Sequence, residues 1–329
     1  MYTKHFKEIT KKDVDIAGGK GASLGEMTKA GLAVPPGFVI LVNAFDKFLE
    51  RTDLIAEIAS QIKGMNYQDI NSIDRASNVI RDLMNDTAVP EELEEIFVSE
   101  FKKLKSKYVA VRSSATAEDS DIASWAGELE TYLNTSESNL ADNIKNCWSS
   151  LFTPRALFYA FEKGIISVQS QKKIRAKSCK YLAQCYPVAV AVVVQKMVQS
   201  EISGIVFTVH PVTEDRDQMV IEAGWGLGEA IVGGKITPDT YIIDKKTWTI
   251  IDANISSQSM MMIRESSGVK EVEVPKNKQE KQKLDNKKVI EIAKICGDIE
   301  KHYKHPQDIE FALEKGEIYI TQSRPITTL

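Results

Sequence analysis

The sequence contains few of the residues from which metal centres and disulfide frameworks are built. Among its 329 residues there are only four cysteines and four histidines. The cysteines are scattered without a Cys-x-x-Cys pair, and the histidines lack the spacing of metal ligands. Zinc sites and structural disulfides are therefore not expected, and reduced thiols in a cytoplasmic protein are expected instead.

Long apolar runs and an excess of positive charge are also absent. No run approaches the roughly 18 residues of a membrane-spanning helix, and the longest, at 188–194, is expected to be a buried strand. The N-terminal segment lacks the apolar core of a signal peptide. The net charge of −4 gives no basic footprint for nucleic acid. The sequence thus predicts a cytoplasmic protein whose partners include neither membrane nor nucleic acid.

The length of the chain predicts two lobes, because 329 residues exceed what one compact core usually holds. Apolar residues make up 43% and charged residues 27%, as in ordinary globular proteins. Helical spacing is prominent in the first half of the chain, whereas strand-like segments and glycines dominate after Pro187. The pattern predicts an α+β fold with an N-terminal lobe at 1–186 and a C-terminal lobe at 187–329.

A β-hairpin near the C-terminus carries two acids on one strand and an amide and a guanidinium on the other. Asp308 and Glu310 share a face of the first strand, and Gln322 and Arg324 share a face of the second, since side chains alternate along a strand. Carboxylates beside an arginine suit a divalent cation that neutralises phosphate oxygens. A solvated charged face on an edge hairpin is the alternative interpretation.

The register of this hairpin depends on the length of its loop. A three-residue loop with Gly316 in the left-handed conformation pairs Leu313 with Glu317. Asp308 then lies opposite Gln322, and Glu310 opposite Ile320. A two-residue loop at 315–316 would instead turn one strand over, so that its other face meets the acids.

A glycine cluster at 18–25 offers consecutive backbone N–H groups beside Lys20, a combination suited to phosphate. The cluster is not a Walker A loop, because Gly21 follows the lysine where Ser or Thr is required. It is not a dinucleotide fingerprint either, because Leu24 occupies the position of the last glycine. A tight turn with a solvated lysine is the alternative.

Four further residues are candidates for ligand contacts. Arg112 ends an apolar strand and can bind phosphate in a bidentate way, although a surface salt bridge would also explain it. Gly127 and Thr131 lie in a segment that either closes over a ligand or forms a plain loop. Gln195 interrupts a run of valines and needs a hydrogen-bond partner, which a bound base or another strand would provide.

Several motifs in this order along the chain resemble those of a known family. They are Gly-Gly-Lys-Gly-Ala-Ser-Leu-Gly-Glu-Met at 18–27, Val-Pro-Pro-Gly-Phe at 34–38, Val-Arg-Ser-Ser-Ala-Thr-Ala-Glu-Asp-Ser at 111–120, Gly-Leu-Gly-Glu at 226–229, Pro-Asp at 238–239, Asp-Ile-Glu at 308–310 and Gln-Ser-Arg-Pro at 322–325. The chain closely resembles the nucleotide-binding domain of the phosphoenolpyruvate synthase (pyruvate, water dikinase) family. Pyruvate phosphate dikinase and rifampicin phosphotransferase belong to the same family.

The resemblance implies an ATP-grasp fold, in which two α+β lobes close on ATP and Mg²⁺. By similarity, Lys20 and Arg112 hold the phosphates. Gly127 and Thr131 lie on the loop that covers them, and Gln195 lies at the adenine edge.

The same similarity assigns roles to the polar side chains of the hairpin. Glu310 and Gln322 serve the magnesium–phosphate cluster, with Asp308 as a weaker candidate, and Arg324 steadies the transferred phosphoryl group. Glu222 receives no role. Phosphoryl transfer needs positioned cations more than a protein nucleophile, which agrees with this set of residues.

The family's full reaction uses a carrier histidine on a separate domain and a further domain for the acceptor. None of the four histidines here lies in the Thr-Cys-His-Ala context of the carrier, so that role is not transferred. The resemblance implies that this chain performs the ATP to carrier-histidine half-reaction, either as a piece of a larger enzyme or as a separate subunit. A rifampicin phosphotransferase-like kinase and a non-catalytic nucleotide-binding module are the alternatives.

Overall fold

The structure, a computed structural model, combines α-helices with antiparallel β-sheets. It describes residues 1–116, 119–120, 123–124, 130–166, 186, 188–265 and 268–327. The chain forms two compact units, of which the first contains Met1–Glu26 and Pro36–Lys196. The second contains Met27–Pro35 and Met197–Leu329. The α+β class predicted from the sequence is confirmed, and the structure shows that the sheets are antiparallel.

The first unit combines seven described helices with a five-stranded sheet. The helices are α1 Val14–Lys29, which continues into the second unit, α2 Val42–Arg51, α3 Leu54–Gly64, α4 Ile70–Asp86, α5 Glu91–Lys103, α6 Leu140–Ser149 and α7 Pro154–Glu162. The strands are β1 Thr3–His5, β2 Gly37–Ile40, β3 Val109–Ala115, the short pair β4 Asp119–Ser120 and β5 Ala123–Ser124, β6 Thr131–Thr135 and β7 Val190–Lys196. The sheet order is β1-β2-β7-β3-β6, with every neighbour antiparallel.

One face of this sheet belongs to the main core of the first unit. Phe38, Val111 and Val194 are fully buried on that face. Trp148 of α6 stacks between Phe45 and Phe48 of α2, with ring centroids 5.4 and 5.2 Å away. Phe45 and Phe48 can both contact this ring because residues three apart share a helix face. Strand alternation places Arg112, Ser114 and Gln195 on the other face of the sheet.

The second unit is built on a six-stranded sheet in the order β11-β10-β9-β8-β14-β15. Its strands are β8 Ile202–Phe207, β9 Gln218–Trp225, β10 Asp239–Asp244, β11 Thr249–Asn254, β14 Gln307–Glu314 and β15 Glu317–Pro325. A two-stranded sheet pairs β12 Met260–Glu265 with β13 Gly268–Glu273. The described helices are the short α8 Glu229–Val232 and the long α9 Asn286–Tyr303.

A row of apolar side chains crosses one face of the six-stranded sheet. Ile309, Val206, Ile221 and Tyr241 are consecutive cross-strand partners, and all four are fully buried. Helix α9 contacts several strands of this sheet and is apolar along one side. Its buried side chains are Val289, Ile292, Ala293, Cys296 and Ile299. The opposite face of the sheet carries Asp308 and Glu310 of β14 and Gln322 and Arg324 of β15.

The compact units do not coincide with the sequence-based division at 186/187. Strand β7 pairs with β2 and β3, so the backbone up to Lys196 belongs with the first sheet. The segment Met27–Pro35 belongs with the second unit, where the carbonyl of Ala33 accepts a 3.0 Å hydrogen bond from the N–H of Ile320. Strand pairing explains the first difference, and a backbone hydrogen bond to β15 accompanies the second. The assignment of two functional lobes stays a prediction.

No helix in the described part of the chain combines the length and apolar character required to cross a bilayer.

A buried ion pair ties two loops to β10. The side chains of Lys283 and Asp239 are both 0% exposed, and Lys283 Nζ lies 2.7 Å from Asp239 Oδ1. The Asp239 carboxylate also accepts hydrogen bonds from the N–H of Ser256 at 3.0 Å and from the hydroxyl of Tyr241 at 3.0 Å. A buried charge pair persists only when its remaining hydrogen-bonding groups are satisfied, as they are here.

Replacing Lys283 by Met is expected to destabilise the protein by about 3–5 kcal/mol, because Asp239 would stay buried without a counter-charge. Chemical denaturation followed by circular dichroism measures this loss. Lys246→Met is the matched control, since its ion pair with Asp217 is exposed, with side chains 70% and 57% accessible. Similar losses in the two variants would contradict the role assigned to the buried pair.

Candidate functional site

Three of the predicted residues of the first unit lie on the sheet face opposite its main core. Arg112 is directly opposed to Thr131 across β3 and β6, and Ala110 is opposed to Gln195 across β3 and β7. Directly opposed residues share a face, as do residues two apart on one strand. Arg112 and Gln195 are only 8% and 3% exposed. Both make polar or electrostatic interactions, as buried polar groups must.

Helix α1, which carries Lys20, packs on the same face through the residues that flank this lysine. Ser114, which shares the face of Arg112, accepts a hydrogen bond from the N–H of Gly21 at 3.1 Å through its hydroxyl. The same hydroxyl donates to the carbonyl of Ala17 at 2.9 Å. The helix that carries Lys20 is thus fastened to the strand that carries Arg112.

The glycines of the cluster permit this close contact between helix and strand. Gly18 has φ 68° and ψ 171°, which interrupts the helical conformation just before Lys20. A Cβ at Gly18 would lie 2.2 Å from the carbonyl oxygen of Ser114, and one at Gly21 would lie 3.1 Å from a methyl of Val39. The cluster therefore forms a kinked helix packed on the sheet, where the alternative interpretation expected a tight turn.

A polar network anchors the start of β6 beside Thr131. Arg81 of α4 lies 3.0 Å from the Glu130 carboxylate, and the Tyr132 hydroxyl donates to the same carboxylate. The hydroxyl of Ser113 donates to the Glu130 carbonyl at 2.8 Å. Burial raises the pKa of the Tyr132 hydroxyl, and the neighbouring Glu130 raises it further. Sequence reasoning missed Glu130 and Arg81, because an ion pair between a helix and a distant strand leaves no local pattern.

Gly127, predicted to cover the ligand with Thr131, lies outside the described residues.

The second unit gathers acids and an amide on the sheet face away from α9. Glu310 is directly opposed to Gln322 on one side and to Ile205 on the other. Ile205 is in turn opposed to Glu222, so the two glutamates flank one isoleucine in a single row. Asp308 is opposed to Arg324 in the adjacent row of the same face. The predicted grouping of these four hairpin residues is therefore present within the unit.

The predicted register of the hairpin was wrong. The loop has two residues, Lys315 with φ 54° and Gly316 with φ 82°, and Glu314 pairs with Glu317. Positive φ at both central positions matches the twist of antiparallel strands, and this favours the shorter loop.

An irregularity in β15 then offsets the shorter loop. The pairing shifts between Glu310 and Phe311, because Thr321 is an extra residue on the second strand. A bulge of this kind lets two residues oppose one. As a result Gln322 opposes Glu310 and Arg324 opposes Asp308, in place of the predicted pairs Asp308–Gln322 and Glu310–Ile320.

Arg324 binds Asp308 through two nitrogens. Its Nε donates to Asp308 Oδ2 at 2.9 Å, and a terminal nitrogen lies 2.8 Å from the same oxygen. Burial raises the pKa of the Asp308 carboxyl, Arg324 opposes this shift, and Glu310 adds to it. One carboxylate oxygen of Asp308 is thus committed to the guanidinium, which orients Arg324 and leaves Asp308 less suited to hold a cation.

Glu222, which received no role from the sequence, lies on this acidic face. Burial raises the pKa of its carboxyl, and the nearby charge of Asp308 raises it further. Strand alternation gives the face of each residue on β9, but it does not reveal that only β8 separates this strand from β14. The described residues contain no group of three His, Cys, Asp or Glu side chains arranged to hold a metal ion.

Comparison with known proteins identifies the family of the chain. A family model described as the pyruvate phosphate dikinase, AMP/ATP-binding domain matches residues 14–329. The chain belongs to this family. The resemblance inferred from the sequence motifs is confirmed.

The curated relatives are longer proteins. The probable phosphoenolpyruvate synthase of Methanocaldococcus jannaschii is 44% identical, over 98% of this chain and 26% of that protein. That of Methanothermobacter thermautotrophicus is 39% identical, over 100% of this chain and 46% of that protein. The phosphoenolpyruvate synthase of Pyrococcus furiosus is 38% identical, over 100% of this chain and 44% of that protein. The chain thus spans less than half the length of these relatives.

Glu222→Gln is expected to stabilise the protein at pH 8, because it removes a carboxylate that is half-buried beside Asp308. Folding raises the pKa of this carboxyl above its unfolded value of about 4.3. The free energy of unfolding therefore falls as the pH rises from that value through the pKa of the folded state. The advantage of the variant should therefore vanish near pH 4. Urea denaturation between pH 4 and 8 measures it, and Glu280→Gln, at an exposed position, is the control. A constant difference at all pH values would contradict this account.

Proposed function

We propose that this chain is the ATP-binding, phosphoryl-transferring part of a phosphoenolpyruvate synthase-like dikinase. The observation that carries the proposal is that, in each unit, the described candidate residues on strands share one sheet face, opposite a face buried in the core. In this proposal the fold is of the ATP-grasp type, with the two compact units as its lobes. The family match and the names of the relatives support the same reading.

In the first unit, Lys20 and Arg112 are assigned to the phosphates of ATP. The cross-strand pairing of Arg112 with Thr131 supports this assignment, as does the attachment of α1 to Ser114. A guanidinium binds phosphate oxygens in a bidentate way, and an ammonium acts as a point charge. Thr131 and Gly127 are assigned to the covering loop.

Gln195 is assigned to the adenine edge. Its side chain is buried in the central strand of the sheet and shares a face with Arg112. An amide both donates and accepts hydrogen bonds, which matches the donor and acceptor of an adenine edge.

In the second unit, Glu310 and Gln322 are assigned to Mg²⁺, with Asp308 as the weaker candidate. Each of these side chains would coordinate the ion through an oxygen atom, the ligand type that Mg²⁺ prefers. Glu310 and Gln322 are directly opposed. Magnesium is usually held by one or two carboxylates together with substrate phosphates, so an incomplete set of protein ligands fits it. When bound, the ion would neutralise charge on the phosphate oxygens.

Arg324 is assigned to the phosphoryl group in transfer. Its ion pair with Asp308 holds the guanidinium in one orientation, while 40% of its side chain stays exposed. Positioned positive charge stabilises the oxygens of a phosphoryl group during transfer, and this is the main contribution a protein makes to such reactions.

The proposed half-reaction converts ATP, water and a histidine on a carrier domain to AMP, phosphate and phosphohistidine, in which the histidine carries the β-phosphoryl group and water takes up the γ-phosphoryl group. In the full enzyme the sum would be ATP, pyruvate and water giving AMP, phosphoenolpyruvate and phosphate. Carrier and acceptor domains are therefore the proposed partners, in the same chain or on a separate subunit. The relatives' greater length is consistent with such additional domains.

Isothermal titration calorimetry with Mg-ATP tests the binding site. The wild type is expected to bind, and Lys20→Ala, Arg112→Ala and Glu310→Ala should each lose about 1–3 kcal/mol, because charged hydrogen bonds to the ligand are left unmade. Lys294→Ala, which removes an exposed lysine of α9, is the matched control and should bind like the wild type. Unchanged affinity in all three site variants would refute the assignment.

Supplying carrier-histidine domains in trans tests the reaction and its acceptor branch. One domain would come from a phosphoenolpyruvate synthase and one from a rifampicin phosphotransferase. We expect AMP formation and histidine phosphorylation with the first, since the reported relatives carry that name. Preference for the second would favour the antibiotic kinase. Tight ATP binding without AMP formation from either would favour a non-catalytic nucleotide-binding module.

A further inference from the structure

A buried hydrogen-bond cluster lies at the base of the hairpin, among residues that the proposed function does not use. The hydroxyl of Ser323 donates to Gln307 Oε1 at 2.8 Å. The Gln307 amide nitrogen donates to the carbonyls of His305 and Pro306 at 3.1 and 3.2 Å. Ser323 and Gln307 are 3% and 2% exposed. The cluster is thus a satisfied polar group inside the core, where leaving any member unpaired is costly.

The same cluster joins the hairpin to its neighbouring strand. The backbone N–H of Gln307 donates to the hydroxyl of Thr208 at 2.8 Å, and the N–H of Thr208 donates to the Gln307 carbonyl at 3.0 Å. Thr208 is fully buried. Ser323 and Gln307 lie on the core face, immediately beneath the pair formed by Asp308 and Arg324.

With its turn fixed at 315–316, the hairpin can pair its strands in two registers, one regular and one bulged. With the turn at 315–316, a regular ladder would place Thr321 opposite Glu310 and Ser323 opposite Asp308. Gln322 and Arg324 would then enter the core face, because a one-residue shift reverses every side chain. The observed register instead leaves Thr321 as the extra residue.

The buried cluster discriminates between these registers. Only the bulged register places Ser323 on the core face, where its hydroxyl reaches Gln307. In the regular ladder Ser323 would face outward and Gln307 would lose the donor to its buried oxygen. Of the two registers that the turn at 315–316 allows, only the bulged one therefore contains the hydrogen bond between these two residues.

We propose that Ser323 and Gln307 form a register lock that, with the bulge at Thr321, aligns Gln322 with Glu310 and Arg324 with Asp308. Both are positioning residues, since they act on the nucleotide through the side chains they align. The inference rests on the proposed function for its effect on ATP, whereas the register itself is a property of the nucleotide-free hairpin.

Amide hydrogen exchange of the nucleotide-free protein tests the lock directly. Ser323→Ala should speed the exchange of amides in β14 and β15 near 307–310 and 322–325, while Ser323→Thr, which keeps the hydroxyl, should restore protection. Ser150→Ala is the matched control, because Ser150 is a fully buried serine of the first unit that donates to a carbonyl at 2.7 Å. Exchange in Ser323→Ala equal to that in the wild type would overturn the proposal.

Deletion of Thr321 distinguishes an effect of Ser323 on the strand register from an effect on local packing. The deletion makes the ladder regular while Gln322 stays opposite Glu310, so the alignment no longer needs the lock. Ser323→Ala alone should weaken Mg-ATP binding about two- to tenfold, the equivalent of one hydrogen bond. In the protein without Thr321 the same substitution should leave the affinity unchanged. An equal loss in both backgrounds would show that Ser323 acts by packing alone and would overturn the lock.

These measurements keep the lock distinct from the proposed function. If the wild type fails to bind Mg-ATP, the proposed function fails, and the exchange data alone decide whether the lock exists. If the wild type binds but exchange and affinity are insensitive to Ser323→Ala, the lock fails while the proposed function stands.

Discussion

Cross-strand register is the constraint on which the candidate residues of both units depend. In an antiparallel sheet, directly opposed residues share a face, and a shift of one residue moves each side chain to the other face. Arg112 meets Thr131, and Glu310 meets Gln322, only in the registers observed. Apolar side chains enforce these registers, because Val111 and its partner Val194 are fully buried, as are Ile309 and its partner Val206. The chemistry of the polar faces thus depends on packing on the opposite faces.

The hairpin shows which features of the site could be predicted from the sequence and which could not. Strand alternation correctly grouped Asp308 with Glu310 and Gln322 with Arg324, since that grouping follows from a period of two. The pairing between the strands was wrong for a physical reason. Nothing in the sequence required Lys315 to adopt a positive φ, which glycine adopts more readily. Two local departures, a shorter loop and a bulge, together produce a pairing that neither would give alone.

Long-range neighbours were the other limit of prediction. The glycine cluster indicated a close approach of backbones, but the partner, Ser114, lies on a strand far along the chain. Glu222 was left without a role because its proximity to Glu310 arises only through the intervening strand β8. The family resemblance supplied the association of Lys20 with Arg112 that local patterns lacked. Sequence patterns therefore predicted which residues share a face of one strand, whereas the order of the strands in each sheet became known only from the structure.

The acidic face of the second unit bears on which form of the nucleotide the protein would bind. Glu222, Asp308 and Glu310 share that face with one guanidinium, so its charge is predominantly negative. A bare triphosphate would be repelled there, whereas its magnesium complex carries less negative charge. The described side chains do not form a complete metal cage, so phosphate oxygens and water would have to complete the coordination. Under the proposed function, metal and nucleotide are therefore expected to bind together, while Asp308 orients Arg324.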